Sequence, residues 1–417
     1  MIMAADETLR IARSTPQMKL QDYTAQVDFA KMRVYRMKRA QEQLAKAGYA
    51  AAVLFDPINI RYASGASRHP ILNFHLPMRC LILPAQGLSV IYEFDKLEKE
   101  TSPLQTVAEV RAPLSTTFFA GGPRNEEFVK AWVNDACDVL KKMVGSEKRI
   151  AIDRIDPETV AAFQAKGYTI GNAQKPLELA RVIKSDEEIA CMSMAITVGE
   201  EGMNRMREAL RPGMTENELW AHLHHANIAH GGEWIEARLL NSGGNILPWG
   251  KGSSDKMIRA GELVAFDTDM IGPFGYAVDV SRTFYCKPGK PTDEQRRLYN
   301  HAVEEVAHNI ALVRPGLSFK ELSEKAWKIP DEFVYHRYSC LAHGIGMCDE
   351  YPYITHAFDW KQYGYDGVLE EGMTICIESF IGSEHGIEGV KLEEQVLVTR
   401  NGCQKLSTFP YEEELMN

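Results

Sequence analysis

The sequence has no long apolar run, no cysteines at redox- or zinc-motif spacing and no excess of basic charge. No stretch approaches the ~18 apolar residues of a membrane helix, so no membrane partner is expected. Lys and Arg number 47 against 57 Asp and Glu, a net charge of −10, which argues against nucleic acid or an anionic membrane surface as partner. The eight cysteines (80, 137, 191, 286, 340, 348, 376, 403) are scattered, with no C-x-x-C pair. A chain of this length does not need disulfides, so reduced thiols and a cytoplasmic location are expected. The first residues, "MIMAADETLRIARSTPQMKL", are broken by charge and lack the apolar core of a signal peptide. What remains is a globular composition, 45% apolar and 25% charged, over 417 residues that fit two or three domains.

The first part alternates helix and strand signals. "FAKMRVYRMKRAQEQLAKAG" has helical periodicity and a glycine stop, while "YAAAVLF", "RCLILP" and "LSVIYEF" read as short buried strands. A second helix, "NEEFVKAWVNDACDVLKKMVG", precedes the strand "RIAID" and the helix "PETVAAFQAKG". This order predicts an α/β domain over 29–175, after an arm of residues 1–28, with the join in "GNAQKPLELARVIKS".

The second part, 176–417, contains a repeat. "RPGMTENEL" and "RPGLSFKEL" share Arg-Pro-Gly, an apolar residue, Ser or Thr, and Glu-Leu at the same offsets. Each carries a capping-box pattern, Thr215 with Glu218 and Ser318 with Glu321. Each also follows a helix that opens with another box, "SDEE" and "TDEQ". Both copies run on into β-rich sequence. The pattern predicts an α+β domain with a pseudo-twofold repeat and the strands of both copies in one shared sheet.

Chemistry concentrates in the same half. "AFDTDMIGPFGYAVDVSRTFYC" places Asp267 and Asp269 in one β run and Asp279 in the next, so a hairpin would crowd three carboxylates. Glu378 is the one acid in the apolar strand "TICIESF". In "VKLEEQVLVT", Lys391, Glu393 and Gln395 share one strand face, opposite Glu394. His343 lies among small residues in "LAHGIGM". Each alone has an ordinary reading: a solvated strand end, a structural histidine, surface charge, or an acid paired with Arg282. Together they point to a pair of cations between the carboxylates. Five oxygen ligands and one imidazole, with no thiolate, favour Mn, Fe, Co or Zn, and two ions ~3.5–4 Å apart would form a two-metal clamp.

These residues resemble the pita-bread metallopeptidases: methionine aminopeptidases, aminopeptidase P, prolidase and the metal-free creatinases. "GYAVDVSRT", "HGIG", "IESF" and "VKLEEQVLVT" match the regions of the family's second Asp, its His and its two Glu ligands. "DPINIRYASG" looks like the creatinase-type N-terminal domain. The resemblance implies an α/β N-terminal domain, a pita-bread catalytic domain and a homodimer, the arm of residues 1–28 reaching a partner subunit.

Three departures shift the expected chemistry. Asp269 and Asp279 are ten residues apart and Asp267 and Asp279 twelve, bracketing the spacing usual in the family and adding an acid. "MCDEYP" offers Asp349 or Glu350 where peptidases carry a substrate-handling His. "NSGGNILPWG" offers Trp249 where the proline-specific peptidases have Pro-His. The combination resembles the DddP-type dimethylsulfoniopropionate lyases, which cleave a small zwitterion to dimethyl sulfide and acrylate. By motif it implies a dinuclear, iron-preferring site (Mn, Zn and Co being alternatives) held by Asp267, Asp269, Asp279, His343, Glu378 and Glu393, with Asp349 as base. An aromatic wall suits a sulfonium; Trp249 and Tyr338 are candidates, and Trp360 reads as core. The alternative is an Xaa-Pro dipeptidase or aminopeptidase on the same metals.

Overall fold

The computed structural model describes residues 26–67, 69–94, 97–112 and 116–416. The expected arm, residues 1–28, lies outside these apart from its last three residues. The chain forms two compact units. One ends at Leu177 and takes in Ser185–Ala190; the other comprises Glu178–Lys184 and the chain from Cys191.

The first unit is built on a six-stranded mixed sheet ordered β4-β3-β2-β1-β5-β6. Its strands are β1 (Ala51–Leu54), β2 (Cys80–Pro84), β3 (Ser89–Tyr92), β4 (Val107–Arg111), β5 (Arg149–Ile152) and β6 (Thr169–Asn172). β1 pairs antiparallel with β2 and parallel with β5, and all four of its residues are buried. That explains an uninterrupted apolar run rather than an alternating one. The helices α1 (Phe29–Lys46), α2 (Pro57–Ser64), α3 (Asn125–Val144) and α4 (Pro157–Ala165) accompany it. "DPINIRYASG", quoted above only for its family likeness, is α2. Asp56 caps the Ile58 and Asn59 amides, Pro57 opens the helix, and Gly65 closes it at φ +88°. An edge-to-face aromatic cluster of Phe55, Trp132, Phe163 and Tyr168 packs the core.

The helix α5 (Asp186–Ala209) starts in the first unit and continues in the second, followed by α6 (Glu216–Ala229). The repeat's boxes are largely as read. Thr215 with Glu218, Thr292 with Gln295 and Ser185 with Glu188 each exchange both bonds. The fourth box is half made. Ser318 accepts from the Glu321 amide at 3.1 Å, but the Glu321 carboxylate turns to Lys325 one turn on and to Arg314.

The expectation of one shared sheet needs correcting. The strands are β7 (Trp234–Ile235), β8 (Leu240–Ser242), β9 (Leu263–Phe266), β10 (Met270–Ile271), β11 (Ala277–Val278), β12 (Arg282–Tyr285), β13 (Ala342–Ile345), β14 (Asp349–Ile354), β15 (Thr374–Gly382), β16 (Gly389–Thr399) and β17 (Gly402–Lys405). Among the described residues they form three sheets, ordered β11-β10-β7, β12-β9-β8 and β14-β13-β15-β16-β17. Between β12 and β16 a side chain stands in for a ladder: the Thr283 hydroxyl accepts from Lys391 N and donates to Lys391 O, both at 3.0 Å. The helix α7 (Asp293–Leu312) lies over β15 and β16 and buries Leu298, Ala302 and Val306 in the core of this unit.

Candidate metal centre

The two acidic runs pair as a hairpin, but the acids sit where its ladder breaks. β9 pairs with β12 up to Phe266 opposite Arg282, and pairing resumes with Met270 opposite Val278. Across the gap the Thr268 hydroxyl donates to Val278 O and accepts from Val280 N, both at 2.9 Å. Asp269 has φ +37°, a left-handed conformation that Asp tolerates better than most residues. The turn separates two acids that a regular strand would hold on one face. Asp267 groups with Glu378 and Glu393, and Asp269 with Asp279 and Asp349.

The other donors come from the five-stranded sheet. Glu378 of β15 stands directly opposite Glu393 of β16, both buried; like charges in that relation destabilise a sheet. Strict alternation sends Glu394 to the other face, where it meets Arg282 (3.0 Å), Lys405 (2.7 Å) and Ser407. Arg282 therefore serves the Glu394 carboxylate, and reaches the cluster only at the backbone carbonyl of Glu393. The register of β13 against β14 shifts between His343 and Gly344, a bulge of the kind that re-aims a side chain. His343 Nε2 ends 3.4 Å from both Asp279 Oδ2 and Glu378 Oε1 and 3.6 Å from Glu393 Oε1. The close approach at Gly344 is to its own fold, not to a ligand: a Cβ there would lie 2.3 Å from Tyr351 O.

Lys391, named in the sequence only for its strand face, is fully buried among the acids. Its ammonium lies 2.5 Å from Glu378, 3.1 Å from Glu393 and from Asp267, and 2.7 Å from Ser281 Oγ. One lysine does not balance the cluster. Asp267, Asp269, Asp279, Asp349, Glu378 and Glu393 are six carboxylates, and Lys391 with a protonated His343 cancels two. The pKa directions express the deficit. Burial, then the charge of Asp267, pushes Asp269 up to about 9. Burial and Glu393 push Glu378 up to about 7 and raise Asp267 and Asp279. Glu393 is the exception: burial works against its charge, but Lys391 and His343 hold it well below the usual carboxylate range.

The donor set fits cations. Asp267 Oδ1, Asp279 Oδ1, Glu378 Oε1 and Glu393 Oε1 are all buried, and none has a hydrogen-bond partner among the described residues. Four such orphans converging on one volume would be costly in a site with no further occupant. A coordinating His343 is neutral, so two divalent ions together with Lys391 would cancel five of the six carboxylate charges.

A cavity of about 430 Å³ opens beside the cluster, within the usual range of small-molecule sites. Asp269, Asp279, His343 and Asp349 line it together with Tyr338, Tyr351, Tyr353 and Tyr365. Asp349 is reachable, its side chain 68% exposed, with Oδ1 3.8 Å from His343 Nδ1. Desolvation by the surrounding protein raises its pKa, His343 opposing and Glu393 adding. Glu350, the other acid of "MCDEYP", is tied off by Arg181 at 3.0 Å and Lys184 at 2.8 Å. Tyr338 lines the cavity and also lies against Lys391 Nζ, 4.4 Å from its ring centroid.

Trp249 is not brought to this cavity. Its ring packs on Phe380 with centroids 5.5 Å apart, and its indole N–H is buried without an acceptor among the described residues. Trp360 packs against the core as expected. Sequence reasoning missed Lys391 and the three further tyrosines. "EYPYI" and "YGYDG" do hold a run of tyrosines, a signal that only the β14 pairing and the Tyr351–Tyr365 stack (5.8 Å) convert into a wall.

Comparisons with known proteins agree with this geometry. Residues 190–400 match metallopeptidase family M24, and residues 36–183 match the creatinase/prolidase N-terminal domain. The chain is 33% identical over 394 residues to the dimethylsulfoniopropionate lyase DddP of Roseovarius nubinhibens, covering 93% of this chain and 88% of that protein. The DddP of Roseobacter denitrificans is 34% identical at the same coverage. An Xaa-Pro dipeptidase of Pyrococcus furiosus is 32% identical over 232 residues, 54% of this chain and 63% of that protein. The prolidase structure from Pyrococcus horikoshii superposes with a TM-score of 0.69 at 24% identity, covering 90% of this chain and 99% of that one. The second unit thus has the pita-bread fold, and the chain belongs to metallopeptidase family M24, with a creatinase/prolidase N-terminal domain preceding the metallopeptidase-like half.

Proposed function

We propose that this chain is a metal-dependent dimethylsulfoniopropionate lyase, and that Asp267, Asp269, Asp279, His343, Glu378 and Glu393 hold two ions, iron in the cell. The observation that carries the reading is the similarity to two such lyases along 93% of the chain. Locally it is supported by a reachable carboxylate, Asp349, where the peptidase imidazole would stand. When bound, the ions supply the positive charge that a substrate carboxylate and the negative charge developing beside it require. Asp349, on the cavity wall, takes the proton α to that carboxylate. The carbon–sulfur bond breaks with its electron pair going to sulfur as the double bond forms. Dimethyl sulfide leaves neutral, so no protein acid is needed. Tyr338, Tyr351, Tyr353 and Tyr365 line the cavity as an aromatic wall for the sulfonium of the bound substrate, a task expected of Trp249 and better met by these rings.

The dipeptidase reading shares the ions and the fold, and the similarity to an Xaa-Pro dipeptidase over 54% of the chain favours it as the rival. Iron-loaded protein incubated with dimethylsulfoniopropionate should release dimethyl sulfide into the headspace and leave Gly-Pro and Xaa-Pro peptides intact. Proline release without dimethyl sulfide would reverse the assignment. The homodimer and the cytoplasmic location belong to the same proposal; light scattering on purified protein and cell fractionation test them.

A further inference from the structure

The sequence pointed to a centre without sulfur, but the fold brings Cys376 into it. Cys376 of β15 stands opposite His343 of β13 and two residues before Glu378, so it shares the inner face of the sheet with both. It is fully buried. Its Sγ and one donor atom each of Asp279, His343 and Glu393 all lie within 4.8 Å of one another. Metal–ligand bonds of about 2.0–2.3 Å to nitrogen, oxygen and sulfur span such a group around a single ion. Asp279 Oδ1 and Glu393 Oε1, buried and without a hydrogen-bond partner among the described residues, are carboxylate oxygens of the same group. The thiol donates to Asp279 O at 3.6 Å, a bond from a weak donor that is easily given up.

We infer that Cys376 is the sulfur donor to the ion on the His343 side, completing an Asp279–His343–Cys376–Glu393 set. This rests on reading the acidic cluster as a metal centre and adds what that reading leaves open, the selection of the metal. A soft donor among carboxylates favours Fe(II), Co(II) and Zn(II) over Mn(II) and Mg(II). The neighbouring group of Asp267, Glu378 and Glu393 has only oxygen donors and already faces Lys391. The two positions are therefore chemically unequal, the sulfur-bearing one the more thiophilic.

Cobalt(II) tests the assignment without any assay of turnover. Full-length protein is stripped, loaded with cobalt, analysed for metal content and recorded in the near ultraviolet. Wild type should show an intense thiolate-to-cobalt charge-transfer band. Cys376→Ser and Cys376→Ala should lose the band while still taking up cobalt, and Cys340→Ser, altered at the neighbouring cavity thiol, should keep it. In competition between cobalt and manganese, both Cys376 variants should lose selectivity by about tenfold or more. Wild-type protein that binds cobalt without the band overturns the inference, as does selectivity unchanged in both variants. Wild-type protein that binds no cobalt removes the metal-centre reading itself, a separable result because metal content is measured directly.

Discussion

Replacing Lys391 by methionine tests how the acidic cluster is held together. The ammonium is fully buried, within 3.1 Å of three carboxylates that are themselves at most 2% exposed. Burial alone would lower its pKa, but Asp267, Glu378 and Glu393 raise it well above the usual lysine value. Methionine keeps much of the volume and removes the charge. Removing one partner from a buried ion pair costs about 3–5 kcal/mol, because the other charge stays behind uncompensated. In chelated protein the variant should lose that much, a factor of about 10²–10⁴ in the folding equilibrium. The loss should be largest above pH 7 and shrink as pH falls, because Glu378, already pushed up to about 7, can bind a proton instead. Reloading with metal should restore most of it, since bound ions replace the missing charge. Urea titration followed by tryptophan fluorescence is a suitable assay: of six tryptophans only Trp132 lies outside the second unit, so the signal follows that unit. A chelated variant whose midpoint matches wild type at pH 8 would refute the reasoning; the acids would then be protonated or solvated rather than held by Lys391.

Three other outcomes are expected. Asp349→Asn should lower kcat for dimethyl sulfide release about 10²–10⁴-fold with metal content unchanged; loss of metal would make Asp349 a ligand instead. Trp249→Ala should leave KM near wild type and cost about 2 kcal/mol of stability, below the ~3–5 kcal/mol of a fully buried aromatic because the ring is only part-buried against Phe380; a raised KM with normal stability would return it to the substrate. Burial, then Arg337, lowers the His356 pKa from its usual 6.5 to about 4. The unfolded chain therefore binds the extra proton between those values, and the stability this ring contributes is complete above pH 6.5 and lost as pH falls toward 4, by about 3 kcal/mol. His356→Gln should flatten that dependence in urea titrations across the interval, and an unchanged slope would show that the ring is charged or hydrated in the fold.

What could be read from the sequence was local. Helix starts at Ser185, Thr215 and Thr292 and the alternation that puts Glu393 and Glu394 on opposite faces all depend on residues within a turn or two. Side-chain periodicity and capping transmit that information without tertiary contacts. The acids of the centre were visible because charge in β-rich apolar sequence is costly and needs a partner. Which partner each acid meets was decided only by the fold. Asp267 and Asp269 part because the backbone turns left-handed at Asp269. Glu378 faces Glu393, and Cys376 faces His343, because antiparallel register places them there. Lys391 enters the cluster, and Trp249 stays against Phe380, for the same kind of reason: these neighbours are distant in sequence, and strand order and register, not composition, bring them within bonding distance.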